Sequence, residues 1–534
     1  MIRLLALQLR RDRLIMAVWI LGTALLAFGS VAAIAKEYGT HAEQQNVLQL
    51  ALAAPSVLAF RGTPSGASTG SIMWFELFTW LAVVIGLMNT FFATRHGRAD
   101  EELGRRELIG ATPVMRSAPL AATLVFGVVA NVVLGLLLAG AFATGKVDGA
   151  GSLAAGATFA VTGIAFLGVG MLVGELAPTG RAANGIGAAI VVGSYVLRAA
   201  GDTAGTPHLD SLTLDPAWPT WVNPIGWGEQ VLAGTENRWA LLLLGVGLAI
   251  VAVVAAFAIH ARRDLGASIL PDRPGRATAS HALAGPFGLA WRLQRPALIG
   301  WGIGGAVLGL ATGSLAQAAG QITHSKDPQV IETLRLMLPG GRTEILDLLV
   351  GVLMLLGGLL AAAAGAQGAL RLRQEEAEGR AELLLAGPVP RSRVMLGSVV
   401  VAMVAAIVIM VAAGFFAWLS FLAYGDGGPA ARAFGQALVE LPAALVFAGL
   451  AALAVAVLPR AAIAIAWALY AIGVGIGLLG QLLKLPKAVI RSSPFDHVPA
   501  VPFDDWGPTL ILIGVDVVLA AAAVVLIRRR DLST

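Results

Sequence analysis

A polar stretch of seventeen residues occurs twice in this chain. It reads EELGRRELIGATPVMRS from Glu101 to Ser117 and EAEGRAELLLAGPVPRS from Glu376 to Ser392. The second copy lies 275 positions after the first, and ten of the seventeen paired residues are identical. The identical pairs are Glu101/Glu376, Gly104/Gly379, Arg105/Arg380, Glu107/Glu382, Leu108/Leu383, Ala111/Ala386, Pro113/Pro388, Val114/Val389, Arg116/Arg391 and Ser117/Ser392. A repeat at this distance in a chain of 534 residues indicates two homologous halves.

The composition around the repeat is that of an integral membrane protein. Hydrophobic residues make up 57% of the chain, charged residues make up 13%, and the mean hydropathy is +0.79. Such a chain has too few polar residues to cover a water-soluble surface. The absence of Cys excludes disulfides, thiolate nucleophiles and cysteine-ligated metals. Basic loops that orient membrane helices explain the net charge of +5 better than a nucleic-acid partner does, so we expect none.

Apolar runs long enough to cross a bilayer occur twelve times, six in each half. A helix of about 20 apolar residues crosses the roughly 30 Å hydrocarbon core. The first run follows a basic start, but it is longer than the core of a signal peptide, so we expect an uncleaved helix. The predicted spans are 14–35, 72–94, 118–143, 152–176, 183–201, 239–260, 297–319, 346–370, 394–422, 434–457, 461–483 and 508–527. The predicted fold is an all-α polytopic membrane protein of about twelve transmembrane helices in two parallel six-helix repeats.

Basic residues and further repeats predict the orientation and the domains. Roughly two thirds of the Lys and Arg residues fall on one side of the twelve-span scheme, and the positive-inside rule makes that side cytoplasmic. Both termini and both copies of the repeat then face the cytoplasm. The halves also end alike, in ARRDLGAS (Ala261–Ser268) and RRRDLST (Arg528–Thr534). The predicted domains are a first half at 1–263, a cytoplasmic linker at 264–290 and a second half at 291–534.

The residues of the repeat predict a short charged helix between two spans. Glu101 and Arg105, like Glu376 and Arg380, are four positions apart with the acid first, the favourable order for an ion pair on an exposed helix. The proline of each copy would stop this helix. Such a stiff element could transmit force to a soluble partner. The alternative is a solvated loop that persists only because the gene was duplicated.

The paired motifs resemble a loop of a known transporter family. ExxGRxEL followed by AxPVxRS, once per half, is similar to the loop between the second and third spans of type-2 ABC exporter permeases. The double-length chain resembles the polyketide-antibiotic exporters of the tetronasin type. In that family the loop is a coupling helix that docks on an ATP-binding subunit. The resemblance therefore implies docking roles for Glu101, Gly104, Arg105, Glu107 and Leu108, and for Glu376, Gly379, Arg380, Glu382 and Leu383.

The two copies differ in ways that bear on this role. Thr112 and Met115 of the first copy stand opposite Gly387 and Pro390 of the second. Whether both copies engage a partner equally therefore stays open. The resemblance also implies an amphipathic helix on the membrane surface before the first span of each half.

The resemblance implies the permease subunit of an ATP-driven exporter and not an enzyme. No GxxxxGK[ST] motif occurs, and the soluble segments are too short for a nucleotide-binding domain. Two docking loops imply two copies of a soluble ATP-binding-cassette ATPase that would hold ATP and Mg²⁺, and we expect no cofactor in this chain. Its apolar spans suit hydrophobic or amphipathic antibiotics and drugs, moved outward across a bacterial plasma membrane. A lipid or an envelope precursor would fit the same interior.

The main alternative is a proton-coupled drug antiporter with two six-helix halves. GRADEELGRR (Gly97–Arg106) partly resembles a loop of the major facilitator class, but its spacing differs. Proton coupling requires buried acids, because charge in lipid is costly and is retained for function. Asp516 is central in a predicted span, yet the first half has no acidic counterpart. The other interpretation is a structural Asp516 that is hydrogen-bonded to a neighbour.

Aromatic and proline-rich segments occupy matching places on the predicted outer side. They are NPIGWGEQVLAGTENRW (Asn223–Trp239) and SPFDHVPAVPFDDW (Ser493–Trp506). They predict re-entrant or interfacial structure that caps the pathway, with an aromatic belt at the interface as the alternative. The possible outer-gate residues are Trp221, Pro224, Trp227, Pro494, Phe495 and Trp506.

The sequence offers little support for a metal site or for catalysis. The seven His residues never show the spacing of metal ligands. His497 with Asp496, Asp504 and Asp505 is the remaining candidate, and a solvated loop explains these residues equally simply. We therefore expect no metal and no catalytic residue.

Overall fold

The structure is a computed structural model that describes residues 2–53, 55–270, 285–322, 345–423, 427–479, 485–502 and 505–530, together with residues 278, 280 and 283. The chain divides into two compact units, residues 1–274 and 275–534. Their boundary falls in the segment predicted as a linker, the middle of which lies outside the described residues. The limits of the predicted halves, 1–263 and 291–534, stay predictions.

Helices dominate the first unit, and the repeat lies between two of its long helices. Its α-helices are α1 (Ile2–Glu37), α2 (His41–Ala53), α3 (Pro55–Arg61), α4 (Thr69–His96), α5 (Arg98–Glu102), α6 (Arg105–Gly110), α7 (Ala118–Thr144), α8 (Gly149–Leu176), α9 (Gly180–Thr203), α10 (Pro224–Glu229) and α11 (Leu242–Arg262). Short 3₁₀ helices occupy Trp218–Val222 and Trp239–Leu241.

The second unit repeats this plan with fewer short helices in its described part. Its α-helices are α12 (Pro286–Ile322), α13 (Ile345–Ala377), α14 (Arg380–Leu385), α15 (Arg391–Ala423), α16 (Gly427–Val457), α17 (Ala462–Leu479), α18 (Lys487–Ile490) and α19 (Gly507–Leu526). Its 3₁₀ helices are Pro494–His497 and Ile527–Arg529. Helix α12 begins inside the predicted linker, since a proline is well tolerated in the first turn of a helix.

The predicted all-α polytopic fold is confirmed. Ten helices in the described part are long and apolar enough to cross a membrane, and they coincide with ten of the twelve predicted spans. The other two predicted spans, 297–319 and 461–483, lie in α12 and α17, and the end of the second is outside the described residues. The count of twelve and the cytoplasmic termini stay predictions.

The surface helices expected before the first span of each half are not separate elements. Helices α1 and α12 each run without a break from the polar start into the apolar stretch. In α1 the polar side chains explain this, because Gln8 and Asp12 are buried. The Gln8 amide donates to the Thr123 hydroxyl at 3.1 Å, and Asp12 lies 2.8 Å from His96. These contacts hold the first turns of α1 against α7 and α4.

Small residues let the long helices approach closely. A Cβ atom on Gly135 of α7 would lie 2.6 Å from the Gly156 carbonyl oxygen of α8. In the second unit, a Cβ atom on Gly305 of α12 would lie 2.5 Å from the Ile409 carbonyl oxygen of α15. Backbone contact of this kind is the usual way for helices to pack tightly in lipid. At these two positions glycine is required by the close approach of the neighbouring backbone.

A short β-hairpin, not predicted from the sequence, interrupts the helical plan. Strand β1 (Thr206–His208) pairs antiparallel with β2 (Thr213–Asp215) after helix α9. The bend between them includes Leu212 at a φ of 53°, and this side chain is buried. We call the end of each unit that carries the repeat the loop end, and the opposite end, where this hairpin lies, the outer end.

Candidate functional site

The repeated stretch forms a bent loop in both units and not one straight helix. In the first copy, α5 and α6 are separated by Gly104, which has a φ of 68°. In the second copy, Gly379 has a φ of 71° between α13 and α14. A left-handed residue ends a helix, and glycine adopts that conformation without steric cost. The prediction of a continuous short helix across the acid and the arginine is therefore wrong.

The predicted i to i+4 ion pairs are also wrong, because the bend separates their partners. Arg105 binds Asp100 at 3.0 Å. Glu101 instead points inward and binds Arg98 at 3.2 Å and Arg263 at 2.7 Å. Its side chain is only 2% exposed.

The second unit repeats this inward pairing. Glu376 binds Arg530 at 2.6 Å and Arg373 at 3.4 Å. Arg380 binds Glu375 at 2.6 Å, as Arg105 binds Asp100 in the first copy. This hydrogen bond raises the pKa of Arg380, so the guanidinium stays charged. The repeated acid of each loop is thus held by an arginine that follows the last long helix of the same unit.

A second repeated arginine completes the attachment. Arg116 donates to the carbonyl oxygen of Arg263, and Arg391 donates to the carbonyl oxygen of Arg530. We call each set a loop clamp: Glu101, Arg116 and Arg263 in the first unit, and Glu376, Arg391 and Arg530 in the second. The repeated loop and the repeated RRDL end are both visible in the sequence, but the contact between them was not predicted. The available signal was that both were predicted to face the same side of the membrane.

The clamps turn some predicted docking residues inward and leave others at the surface. Leu108 is 75% exposed and Leu383 is 81% exposed, although both are large apolar residues. Glu107 and Glu382, their neighbours in α6 and α14, are exposed as well. At matched positions, each loop therefore presents an acid and a leucine outward, and Leu103 of the first loop is 63% exposed as well.

The first unit carries extra polar groups beside its clamp. Glu175 binds Arg263 at 2.9 Å and lies 3.1 Å from His260. Glu101, Glu175 and His260 offer ligand atoms within 4.8 Å of one another, a spacing that a metal ion could use. The same carboxylates already bind Arg98 and Arg263, so this is an ion-pair network whose charge is balanced from within.

Helix α1 extends this network at the loop end. Arg11 binds Asp100 at 2.9 Å, and its guanidinium lies 3.0 Å from His96. Asp12 binds Arg95 at 3.0 Å. The first loop is therefore tied to α1 as well as to α11.

A second buried ionic cluster lies at the outer end of the first unit. Arg198 is fully buried and binds Asp202 at 2.8 Å and Glu229 at 3.3 Å. The Thr220 hydroxyl donates to Asp202 at 2.8 Å, and the Thr63 backbone N–H donates to Glu229 at 3.0 Å. Burial, followed by the nearby Asp202 carboxylate, raises the pKa of Glu229 well above its usual range. The sequence signal for this cluster, which was not predicted, is an Arg and an Asp four residues apart in an apolar helix.

The possible gate residues lie in short non-spanning segments. Trp221 belongs to a 3₁₀ helix, Pro224 begins α10, and the Trp227 indole donates to the Trp221 carbonyl oxygen at 2.6 Å. In the second unit, Pro494 and Phe495 begin a 3₁₀ helix, and Phe495 stacks on Phe447 with ring centroids 5.7 Å apart. Trp506 is 59% exposed just before α19. Their role as a gate stays a prediction.

The remaining candidate residues are placed as follows. Asp516 is 3% exposed in α19, and its carboxylate oxygens have no hydrogen-bond partner among the described residues. The hydrogen bond expected for a structural Asp516 is therefore absent from that part of the chain. His497 Nδ1 lies 3.2 Å from the Ser493 carbonyl oxygen, and Asp505 accepts from the Gly507 N–H at 2.8 Å. Asp504, the third acid of the metal candidate, lies outside the described residues.

Comparison with known proteins identifies the family. A family model described as the C-terminal domain of the multidrug efflux system permease Rv1217c matches residues 283–528. The chain is 32% identical over 535 residues to the multidrug efflux system permease protein Rv1217c of Mycobacterium tuberculosis. The alignment covers 99% of this chain and 94% of that protein. With its repeated membrane units, the chain belongs to the family of multidrug efflux system permeases represented by Rv1217c.

Proposed function

We propose that the chain is the permease subunit of an ATP-driven ABC exporter that moves hydrophobic or amphipathic compounds, such as antibiotics and drugs, out of the cell. The observation that carries this proposal is the duplicated loop, which presents an exposed acid and an exposed leucine in each unit and is held at its base by a loop clamp. An isolated apolar side chain on a charged loop is common, but two at matched positions favour a binding surface. The name of the relative supports drug efflux as the activity.

The docking partner would be a soluble ATP-binding-cassette ATPase in two copies, one for each loop. That partner would hold ATP and Mg²⁺, and this chain would carry neither. Both loops and both termini would then face the cytoplasm of a bacterial plasma membrane. Six of the predicted docking residues would touch the ATPase: Arg105, Glu107 and Leu108 in the first loop, and Arg380, Glu382 and Leu383 in the second. Glu101, Gly104, Glu376 and Gly379 would shape the loops from within.

The tetronasin-type exporters are the subfamily that the paired motifs favour. The substrate would then be a bulky amphipathic antibiotic, and a lipid or envelope precursor is the alternative cargo for the same apolar spans. The gate at the outer end of the pathway would be formed by six residues: Trp221, Pro224, Trp227, Pro494, Phe495 and Trp506.

Co-purification tests the ATP-driven mechanism. The full-length chain is expressed with a candidate ATP-binding-cassette ATPase, sought first in the adjacent reading frame, and hydrolysis is measured with and without drug in nanodiscs. We expect Leu108→Asp combined with Leu383→Asp to abolish co-purification, because each change places a charge where an apolar contact is needed. Asp210→Ala, in the exposed turn of the outer hairpin, is the matched control and should leave the complex intact. A complex that survives the double substitution with drug-stimulated hydrolysis would overturn the docking role.

A proton-coupled antiporter is the second candidate, and one observation favours it. Asp516 is a buried acid in a candidate span, and no described side chain hydrogen-bonds it. Under that mechanism, vesicles with an imposed pH gradient and no ATP should export drug, and Asp516→Asn should abolish this export. Under the ATP-driven mechanism the gradient alone should drive nothing, whatever residue occupies position 516.

A further inference from the structure

A cavity of about 180 Å³ opens beside the first copy of the loop, within the first unit. Its polar lining comes from Arg106 of α6, Arg116 before α7 and His260 of α11. Its apolar lining includes Ile109, Met115 and Leu265. Met115 is 79% exposed, so the apolar rim is open to the surroundings. The cavity thus joins a cationic base to an apolar mouth.

Within the described part of the chain, neither guanidinium group of this cavity forms an ion pair with an acid. Arg106 is only 4% exposed, donates to the His96 carbonyl oxygen at 3.3 Å, and has an Nε atom without a hydrogen-bond partner among the described residues. Arg116 donates to the carbonyl oxygen of Arg263. The nearby Glu101 and Glu175 bind Arg98, Arg263 and His260 instead.

A buried guanidinium without a counter-charge lowers the stability of the folded protein, and an anion bound in the cavity would restore that stability. Burial lowers the pKa of Arg106, whereas the carboxylates of Glu101, Glu175 and Asp100 raise it. A planar guanidinium also matches the geometry of phosphate oxygens better than an ammonium group does.

The corresponding place in the second unit is built differently. Ala381 stands where the first copy has Arg106, and Ile527 stands where alignment on the RRDL ends places His260. The cavity there is about 20 Å³; its Arg530 is paired with Glu376, and its Arg391, like Arg116, donates to a backbone carbonyl oxygen. The second clamp forms without a counterpart of Arg106, so the clamp does not require this arginine. Of the two cavities beside the loop clamps, the larger is in the first unit.

We propose that this cavity binds the phosphate of an anionic phospholipid, with Arg106 and Arg116 on the phosphate and the acyl chains leaving past Met115. The position fits a lipid, because Pro119 lies at the start of one candidate span and His260 near the end of another, at the depth of the headgroups. A soluble phosphate shares the headgroup chemistry but makes no use of the apolar mouth. This site is independent of the transport mechanism and of the partner.

Native mass spectrometry of the full-length, delipidated protein tests the site. The probes are phosphatidylglycerol, phosphatidylcholine and inorganic phosphate, titrated separately. We expect phosphatidylglycerol to bind at least about tenfold more tightly than the other two, and Arg106→Ala to remove that tenfold preference. Arg106→Lys should keep part of it. Equal binding of inorganic phosphate and phosphatidylglycerol would overturn the lipid assignment.

Matched variants distinguish a loss of lipid binding at this site from a loss of folding. Arg106→Ala installs the residue of the second copy, and its Tm is measured alongside binding. Arg391→Ala, at the counterpart of Arg116, should leave phosphatidylglycerol binding unchanged. If Arg106→Ala does not fold, Met115→Asp at the exposed rim should weaken phosphatidylglycerol binding by charge repulsion. Unchanged lipid binding in both folded variants would overturn the proposal, as would an equal loss in Arg391→Ala.

Discussion

Glu101 shows how a single buried carboxylate can fix the position of a surface loop. It lies between Arg98 and Arg263 with 2% of its side chain exposed, so its removal takes the carboxylate from Arg98 and leaves Arg263 with Glu175. We expect Glu101→Gln to lower the free energy of unfolding by about 3 kcal/mol or more, the usual result of breaking a buried pair from one side. Thermal unfolding in detergent measures this as a lower Tm.

Glu107→Gln is the control for that substitution, because Glu107 is exposed six positions along the same loop. A surface change of this kind normally alters stability by no more than about 0.5 kcal/mol. Equal Tm values for the two variants would mean that Glu101 does not hold the loop.

The outer cluster makes a different prediction at the residue scale. Arg198 binds two buried acids, and its loss would leave both without their counter-charge. Arg198→Met should therefore lower the free energy of unfolding by roughly 3 to 5 kcal/mol, among the largest losses in the first unit. Glu229→Gln should have a small effect, because burial already raises the pKa of Glu229 and favours its neutral form. Expression yield and Tm measure both. Arg238→Met, in an exposed pair with Glu236, is the neutral control, and a loss as large as that of Arg198→Met would contradict the prediction.

The same cluster gives a pH dependence with a defined sign. A carboxyl group whose pKa is raised in the folded protein binds more protons there than in the unfolded chain. Its contribution to stability is therefore complete below its unfolded pKa and decreases as the pH rises toward the folded value. Tm should fall with rising pH above about 4.3 in the native protein, and this part of the slope should disappear in Glu229→Gln. An unchanged slope in Glu229→Gln would show that other groups cause it.

At the scale of elements, hydropathy located the long helices, but it could not shape the loop between them. Twenty consecutive apolar residues have few alternatives to a helix in lipid, so the spans follow directly from the sequence. The bend at Gly104 depends on one backbone angle, and the charge pattern around it suits a straight helix equally well. The contact between Glu101 and Arg263 joins residues 162 positions apart, and local spacing carries no information about it.

The two loop glycines allow a test of the bend alone. Gly104 and Gly379 have positive φ angles, and a Cβ atom on either would meet nothing within 4 Å. Ala at either position should therefore destabilise the loop through backbone strain, by about 1 to 2 kcal/mol, and Asn should be tolerated better. Tm and co-purification with the ATPase measure the effect.

Gly110→Ala is the matched control for the bend. Gly110 is helical, and a Cβ atom there also meets open space. Alanine favours the helix, so this variant should be as stable as the native protein or slightly more so. Equal losses at Gly104 and Gly110 would contradict a role for the left-handed conformation.

Across the whole molecule, the two units share the clamp and differ in what surrounds it. The first unit adds Arg11, Asp12 and His96 to its loop end, and these residues tie the loop to α1. The corresponding part of the second unit contains a cavity of about 130 Å³ lined by Gln294 and Arg371 among others. Duplication preserved the attachment of each loop to its last long helix while the neighbouring polar groups diverged. The resemblance between the halves could be read from the sequence, whereas this divergence required the contacts.

This asymmetry predicts different mobility of the two loops, which amide hydrogen exchange can measure on the intact protein. The first loop is held by its clamp, by the Arg11 to Asp100 pair, and by Glu102, which accepts from the Gly180 N–H at 2.9 Å. The second loop, in the described residues, is held by its clamp and by pairs within its own segment. We expect amides of Arg105–Gly110 to exchange several-fold more slowly than those of Arg380–Leu385, because local opening of the first loop must break more ion pairs. Arg11→Met should bring the first loop close to the exchange rate of the second, whereas Arg13→Met, from the same turn of α1, should not. Equal exchange of the two loops in the native protein would mean that the clamps alone set their mobility and that the extra ion pairs of the first unit serve another purpose.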